Sequence, residues 1–365
     1  MINSWTGFQP LKEVWLGAPW PLGWETMIFK TAKDQENLKK ITEISIQQLN
    51  EFQRIMENDG ILVRRPRSFT PQEVYEDWLT YEDAFREMFS SKLKRGDTYE
   101  EFIQNMRKCF GNAERCAPEL NPRDNFIVYG KTLFVFLPSS KAMMWWGDTL
   151  NEYMSVGYDV RFMSVKGVHN DTYQGVICPS IVRLGKKVIM EDIWNREEGV
   201  KLPGIETFAK ALHYQYDADV HISRSPDGRH SDGQLAVLRP GMALSSKSRE
   251  DLYEETFPGW KFVLHEPEIN RLTAEQKREI DELRFVNKQI ASWTGDISET
   301  HFDVNCLVRD EGHVYVSNNP PKPLGGNHTV VPWKYRWFWD GGLHCITLDI
   351  HREGKQEDYF DSKIN

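Results

Sequence analysis

The chain has 365 residues, with 45 Lys and Arg against 54 Asp and Glu and a formal net charge of −9 at pH 7. That balance argues against a nucleic-acid partner, because phosphate recognition needs a basic face. No apolar run reaches the ~18 residues of a membrane span, and Met1-Ile2-Asn3-Ser4-Trp5 resembles neither a signal peptide nor an Arg-rich transit segment. Five cysteines with no Cys-x-x-Cys pair disfavour a disulfide framework or zinc knuckle and suit a reducing compartment. The expectation is a cytoplasmic globular protein with no membrane and no nucleic-acid partner.

A short apolar strand is predicted at Leu11–Leu16. Over 34–59, Leu38, Ile41, Leu49, Phe52 and Met56 fall at helical spacing, and Gly60 can supply the left-handed stop. Thr70-Pro71-Gln72-Glu73 offers an N-cap hydroxyl, a first-turn proline and a reciprocal carboxylate. Thr273-Ala274-Glu275-Gln276 repeats that logic ahead of another amphipathic helix.

Between these helices, four segments read as strand, glycine turn, strand: 126–136 around Gly130, 181–190 around Gly185, 235–244 around Gly241 and 306–316 around Gly312. The glycines lie 55, 56 and 71 residues apart, which means one supersecondary unit used several times. A fifth unit would pair Leu11–Leu16 with 344–350, closing a ring from both termini. One domain over 1–365 is therefore favoured over two. Equivalent positions just before each first strand are Asp124, Ser180, Asp232 and Asp303, and around an axis they would converge.

Cys345 follows Gly341-Gly342-Leu343-His344 at the mouth of a strand. Two glycines permit close backbone approach there, and a thiol so placed can serve as a nucleophile once a His or a dipole favours its thiolate. Elsewhere such a Cys is a small buried hydrophobe. His230 stands two residues before Asp232, so on extended chain the two can enter one pocket, and imidazole suits proton transfer. A solvated turn histidine is the plainer alternative. Asp124 and Asp303 have the same choice between turn residue and ligand group. Several acids converging beside a thiol would suit a cationic, planar substrate such as a guanidinium, bound through forked hydrogen bonds. His213, His221 and His230 have no metal-ligand spacing.

The segments Pro122-Arg123-Asp124-Asn125-Phe126-Ile127, His230-Ser231-Asp232, Leu244-Ser245 to Arg249, and Gly341-Gly342-Leu343-His344-Cys345-Ile346-Thr347-Leu348-Asp349 resemble the glycine amidinotransferase family of the guanidine-modifying pentein superfamily. The resemblance implies an α/β fold, a five-bladed propeller of repeated αββαβ units. It implies amidino transfer from L-arginine to an amine acceptor, with Cys345 as nucleophile, L-ornithine released and His230 as general acid and base. Asp124 and Asp232 would hold the guanidinium and Arg249 the amino-acid carboxylate. No cofactor and no metal enter, and a homodimer is compatible with it. Two places depart from the family: Ser139-Ser140-Lys141 replaces a more basic stretch, and Ser180 stands where the histidine's carboxylate partner belongs, where a serine supports an imidazolium poorly. Asp303 is the residue expected to supply that carboxylate instead, with Asp171 or Asp192 as substitutes in another register. A guanidine hydrolase using the same thiol, or a pentein that binds a guanidino ligand without turnover, are the alternatives.

Overall fold

The computed structural model describes residues 1–29, 31–88, 91–110, 120–136, 140–163, 176–192, 203–224, 230–265, 273–275, 277–278, 281, 303–317, 327–339 and 341–360. Its strands form five three-stranded sheets of one plan. After β1 (Leu11–Leu16) and β2 (Leu62–Arg64), the first complete unit pairs β3 (Phe126–Tyr129) antiparallel with β4 (Thr132–Val135). The helix Ser140–Ser155 then returns the chain so that β5 (Asp159–Phe162) lies parallel to β4. The next two units repeat this with β6 (Ile181–Leu184), β7 (Lys187–Asp192) and β8 (Asp219–Arg224), then β9 (Leu235–Arg239), β10 (Met242–Ser246) and β11 (Lys261–His265). The fourth sheet holds β12 (Leu307–Asp310), β13 (His313–Val316) and β14 (Asn327–Val330). In the fifth, β15 (Thr347–Arg352) pairs antiparallel with β1, and β2 lies parallel to β1, so both ends of the chain share one sheet.

All four predicted hairpins form. Gly130, Gly185 and Gly241 turn with positive φ (61°, 66° and 74°), which explains glycine there. Gly312 carries no positive φ; its amide donates instead to Asp310 Oδ1 at 2.8 Å. The long helix runs Ala32–Asn58 and Gly60 follows it at φ 78°. Thr70 and Glu73 make a reciprocal capping box on the helix Pro71–Glu76. The helix predicted after Thr273 lies largely outside the described residues.

The fifth sheet, the β3–β4 hairpin and the helices beside them share an apolar cluster, where the Trp15 ring stacks on Trp146 at 4.3 Å between centroids. The N-terminal segment stitches three sheets together. Asn3 bridges to His351, Ser4 to Gly130 and Thr6 to Leu184. Among the described residues no helix is long and apolar enough to cross a membrane.

A buried charge hub fixes three sheets relative to one another. Asp349 of β15 receives Arg123 Nη2 at 2.8 Å, Arg183 Nη2 at 2.6 Å and Arg352 Nε at 2.7 Å, with all four side chains at most 4% exposed. Burial alone would raise the Asp349 carboxyl, but the three guanidinium charges hold it well below the usual carboxylate range. Arg123 Nε also donates to the carbonyls of His344 and Thr347, at 3.0 and 3.1 Å. The residue before Asp124 thus anchors the segment that carries Cys345.

Candidate active site

The positions singled out before each hairpin sit in matching turns. Asp124 ends the 3-10 turn Pro122–Asp124, Ser180 ends Cys178–Ser180, and Asp232 lies in Ser231–Gly233. These turns pack one on the next, and the first packs on β15. The convergence expected from the repeat is therefore present for Asp124, Ser180, Asp232 and Cys345.

Cys345 is buried and makes two sulfur contacts. Its thiol donates to Asp232 Oδ2 at 3.3 Å, and Asn305 Nδ2 donates to Sγ at 2.9 Å. Asn305 Oδ1 accepts the backbone N–H groups of His344 and Cys345 at 2.9 and 3.0 Å. The glycines explain this fit. A Cβ on Gly342 would lie 2.6 Å from Asn305 Oδ1 and 2.8 Å from its carbonyl oxygen, so only glycine lets the Cys345 turn close on Asn305.

Burial, then the charges of Asp232 and Asp124, push the Cys345 thiol well up; the Asn305 amide works the other way. Asp232 is 5% exposed. Burial also pushes its carboxyl up, but the hydrogen bond from His344 and the nearby His344, His230 and Arg123 outweigh this and the net direction is down. Asp232 is thus a carboxylate beside a neutral thiol. One oxygen takes His344 Nδ1 at 2.9 Å as well as the thiol, while Oδ1 is buried without a hydrogen-bond partner. Ser180 Oγ, Ser231 Oγ and Gln234 Oε1 share that condition. Buried polar atoms are almost always satisfied, so four orphans in and beside two adjoining turns mark a place built for a polar ligand.

The other candidate residues are placed as follows. His230 caps the Ser231–Gly233 turn on extended backbone and is half-buried, near enough for its charge to lower Asp232. The hydrogen bond to Asp232, however, comes from His344. Asp303 is buried and pairs with His265 Nε2 at 3.4 Å, a second histidine–carboxylate contact at the third sheet's end rather than a displaced partner for His230. Asp192 ends β7 beside Glu191, and Asp171 lies outside the described residues. Arg249 is buried against Glu191, with Nη1–Oε2 at 2.5 Å, and against the Tyr253 hydroxyl at 3.1 Å.

His344 and Asn305 were not singled out from sequence. The signal for His344 was its position next to Cys345, and for Asn305 its place two residues after Asp303. Burial, then the Arg123 charge, push His344 down to about 4 against the support of Asp232, so at neutral pH it is a neutral imidazole donating Nδ1–H. Arg123, Asp232 and His344 join Arg183, Ala236 and Val308 in lining a small cavity of about 40 Å³ between the first strands of three sheets. Among the described residues no group of His, Cys, Asp and Glu is arranged to hold a metal.

The fold is the five-bladed α/β propeller of the pentein enzymes, and the enzymes it resembles most consistently are amidinotransferases. Inosamine-phosphate amidinotransferase StrB1 from Streptomyces griseus superposes with a TM-score of 0.64 at 18% identity, covering 99% of both chains. SxtG, an amidinotransferase of saxitoxin biosynthesis from Microseira wollei, gives 0.63 at 18% identity over 98% of this chain and 99% of that one. In sequence, mitochondrial glycine amidinotransferase of Gallus gallus is 26% identical over 188 residues, 49% of this chain and 39% of that protein. L-arginine:L-lysine amidinotransferase of Pseudomonas savastanoi pv. phaseolicola is 26% identical over 183 residues, 48% of this chain and 44% of that protein. The match thus spans well under two thirds of the length of these relatives. No protein-family model matches the chain.

Proposed function

We propose that the protein is an amidinotransferase that carries the amidino group of a guanidino donor on Cys345. The observation that carries this reading is the thiol set against Asp232, whose second oxygen is buried and unpartnered. A guanidinium offers forked N–H donors that match such a carboxylate, with Asp124, on the turn beyond that of Ser180, as the second acceptor. Its positive charge would offset the Asp232 and Asp124 fields that keep the thiol protonated, so donor binding itself promotes the thiolate.

The thiol passes its proton to His230 as the sulfur attacks the guanidinium carbon and forms the C–S bond. The bond from that carbon to the alkylated nitrogen breaks, and the leaving amine takes a proton from His230. An acceptor amine next attacks the amidino-thioether, passing its proton to His230, and the thiolate departs. Asn305 Nδ2 is positioned to stabilise the sulfur anion at both stages. The family resemblance puts L-arginine in the donor's place, which makes L-ornithine the first product.

The experiment is incubation with L-arginine and with other guanidines, with and without amines, while scoring products and the mass of Cys345. Amine-dependent transfer lost in Cys345→Ala supports the proposal. Acceptor-independent ammonia release would assign a hydrolase instead. Retained binding with an unmodified thiol would assign a guanidino-binding protein, the reading favoured by the orphaned Ser180 hydroxyl.

A further inference from the structure

The bond from His344 to Asp232 takes no part in the amidino-transfer steps. His344 Nδ1 donates to Asp232 Oδ2 at 2.9 Å, and the Cys345 thiol donates to the same oxygen at 3.3 Å. Asp232 is buried and His344 partly exposed, while Asp232 Oδ1 is buried without a hydrogen-bond partner among the described residues.

The backbone that carries this imidazole is held on both sides. The His344 amide donates to Asn305 Oδ1 at 2.9 Å, and the His344 carbonyl accepts from Arg123 Nε at 3.0 Å and from the Thr347 amide at 3.2 Å. Asn305 Nδ2 also donates to the Asp232 carbonyl at 3.1 Å. Asn305 therefore ties down the backbone at each end of the His344–Asp232 bond, and that bond carries the fixed geometry into the carboxylate.

A carboxylate is planar, so with its backbone set, a donor that fixes one oxygen also fixes where the other points. The two donors on Oδ2 differ in what happens to them during the reaction. When the thiol ionises its N–H-like contact is lost, and Oδ2 then faces a sulfur anion that repels it. The imidazole bond persists. Burial and the Arg123 charge push His344 down to about 4, which leaves a neutral ring with its Nδ1–H at neutral pH. Without that bond Asp232 would be free to swing away just as the guanidinium has to be held. Resting on the reading of Asp232 as a guanidinium acceptor, we infer that His344 is a positioning residue for the donor: its Nδ1–H pins Asp232 Oδ2 and so presents Oδ1 to the guanidinium.

The test is calorimetric binding of L-arginine to the Cys345→Ala protein, which stops turnover and removes the thiol donor, with His344→Leu and His344→Asn added in turn. His344→Leu is expected to weaken binding about 10–100-fold, the worth of a hydrogen bond to a charged group. His344→Asn, whose amide can place an N–H near the Nδ1 position, is expected to recover most of that loss. Burial raises the Asp232 carboxyl, and the His344 bond is the largest of the influences that lower it, so in His344→Leu binding should also fail at a higher pH on the acid side. His230 and Arg123, which also lower Asp232, and Asp124 are common to all these proteins, so the difference reports His344. Equal affinity in all three, equal loss with both substitutions, or a loss with the acid side unmoved overturns the inference. Should His344→Leu fail to fold, His344→Gln takes its place, since its amide reaches the Nε2 position instead and is expected to lose affinity where His344→Asn keeps it. Failure of the Cys345→Ala parent to bind any guanidine overturns the reading of the site and the inference with it. Binding without modification of Cys345 in the unsubstituted protein overturns the transfer chemistry and leaves the His344 assignment to these variants.

Discussion

At the scale of single residues, Cys345 is a buried thiol held protonated by its surroundings, and the proposed chemistry needs a bound cation to release its thiolate. Burial and two carboxylates push Cys345 up, so in the ligand-free protein the thiolate forms only as pH rises well above neutral. Iodoacetamide should therefore modify Cys345 slowly at pH 7 and faster with rising pH, and a bound guanidine that leaves the sulfur accessible should move the profile to lower pH. Rapid alkylation at neutral pH in the absence of ligand would contradict this. Asn305 is the one hydrogen-bond donor to the sulfur among the described contacts. Asn305→Ala should slow adduct formation by about 10–100-fold, the worth of a hydrogen bond to a charged group, and an unchanged rate would remove it from the mechanism. Cys345, Asp124 and Asp232 were legible in the sequence because glycines and hairpin starts flagged them. Asn305 and His344 were not, since their roles arise from contacts between sheets, Asn305 reaching Cys345 40 residues away and Asp232 receiving His344 across 112.

At the scale of elements, the hairpins were readable because glycine turns and β-rich runs are local signals. The hub that sets their mutual position was not. Arg123, Arg183 and Arg352 look in sequence like ordinary charged residues on or near strands, and only the folded arrangement shows that one carboxylate bridges all three. Removing that carboxylate leaves three buried guanidinium groups uncompensated. Asp349→Asn should cost about 3–5 kcal/mol, read from denaturant unfolding. Because Arg123 holds the His344 and Thr347 carbonyls, the same variant should disturb the Cys345 turn. Stability within ~1 kcal/mol of the parent would show that the hub is not what aligns the sheets. Asp303 contacts His265, a neighbour that repeat spacing does not reveal.

At the scale of the whole molecule, the termini pair within one sheet, β1 with β15, and the first residues bridge the two sheets that follow. Repeat spacing made this closure legible; the N-terminal stitching was not, because isolated bridges leave no periodic signature. We propose that the chain unfolds as one domain. Thermal unfolding followed by tryptophan fluorescence and by far-ultraviolet circular dichroism should give coincident transitions, and deletion of residues 1–16 should abolish them. Two separate transitions would contradict the one-domain reading. Substrate choice was the least legible property, since no local sequence signal shows that Arg249 is buried against Glu191.

Uptake of an amidino group by Cys345 is read by intact-mass analysis of the protein after incubation with L-arginine and with agmatine, its counterpart without the carboxylate. The account predicts one amidino increment, mapped to Cys345, absent in Cys345→Ala and discharged by an added amine. An unmodified thiol with every guanidine tried would contradict it.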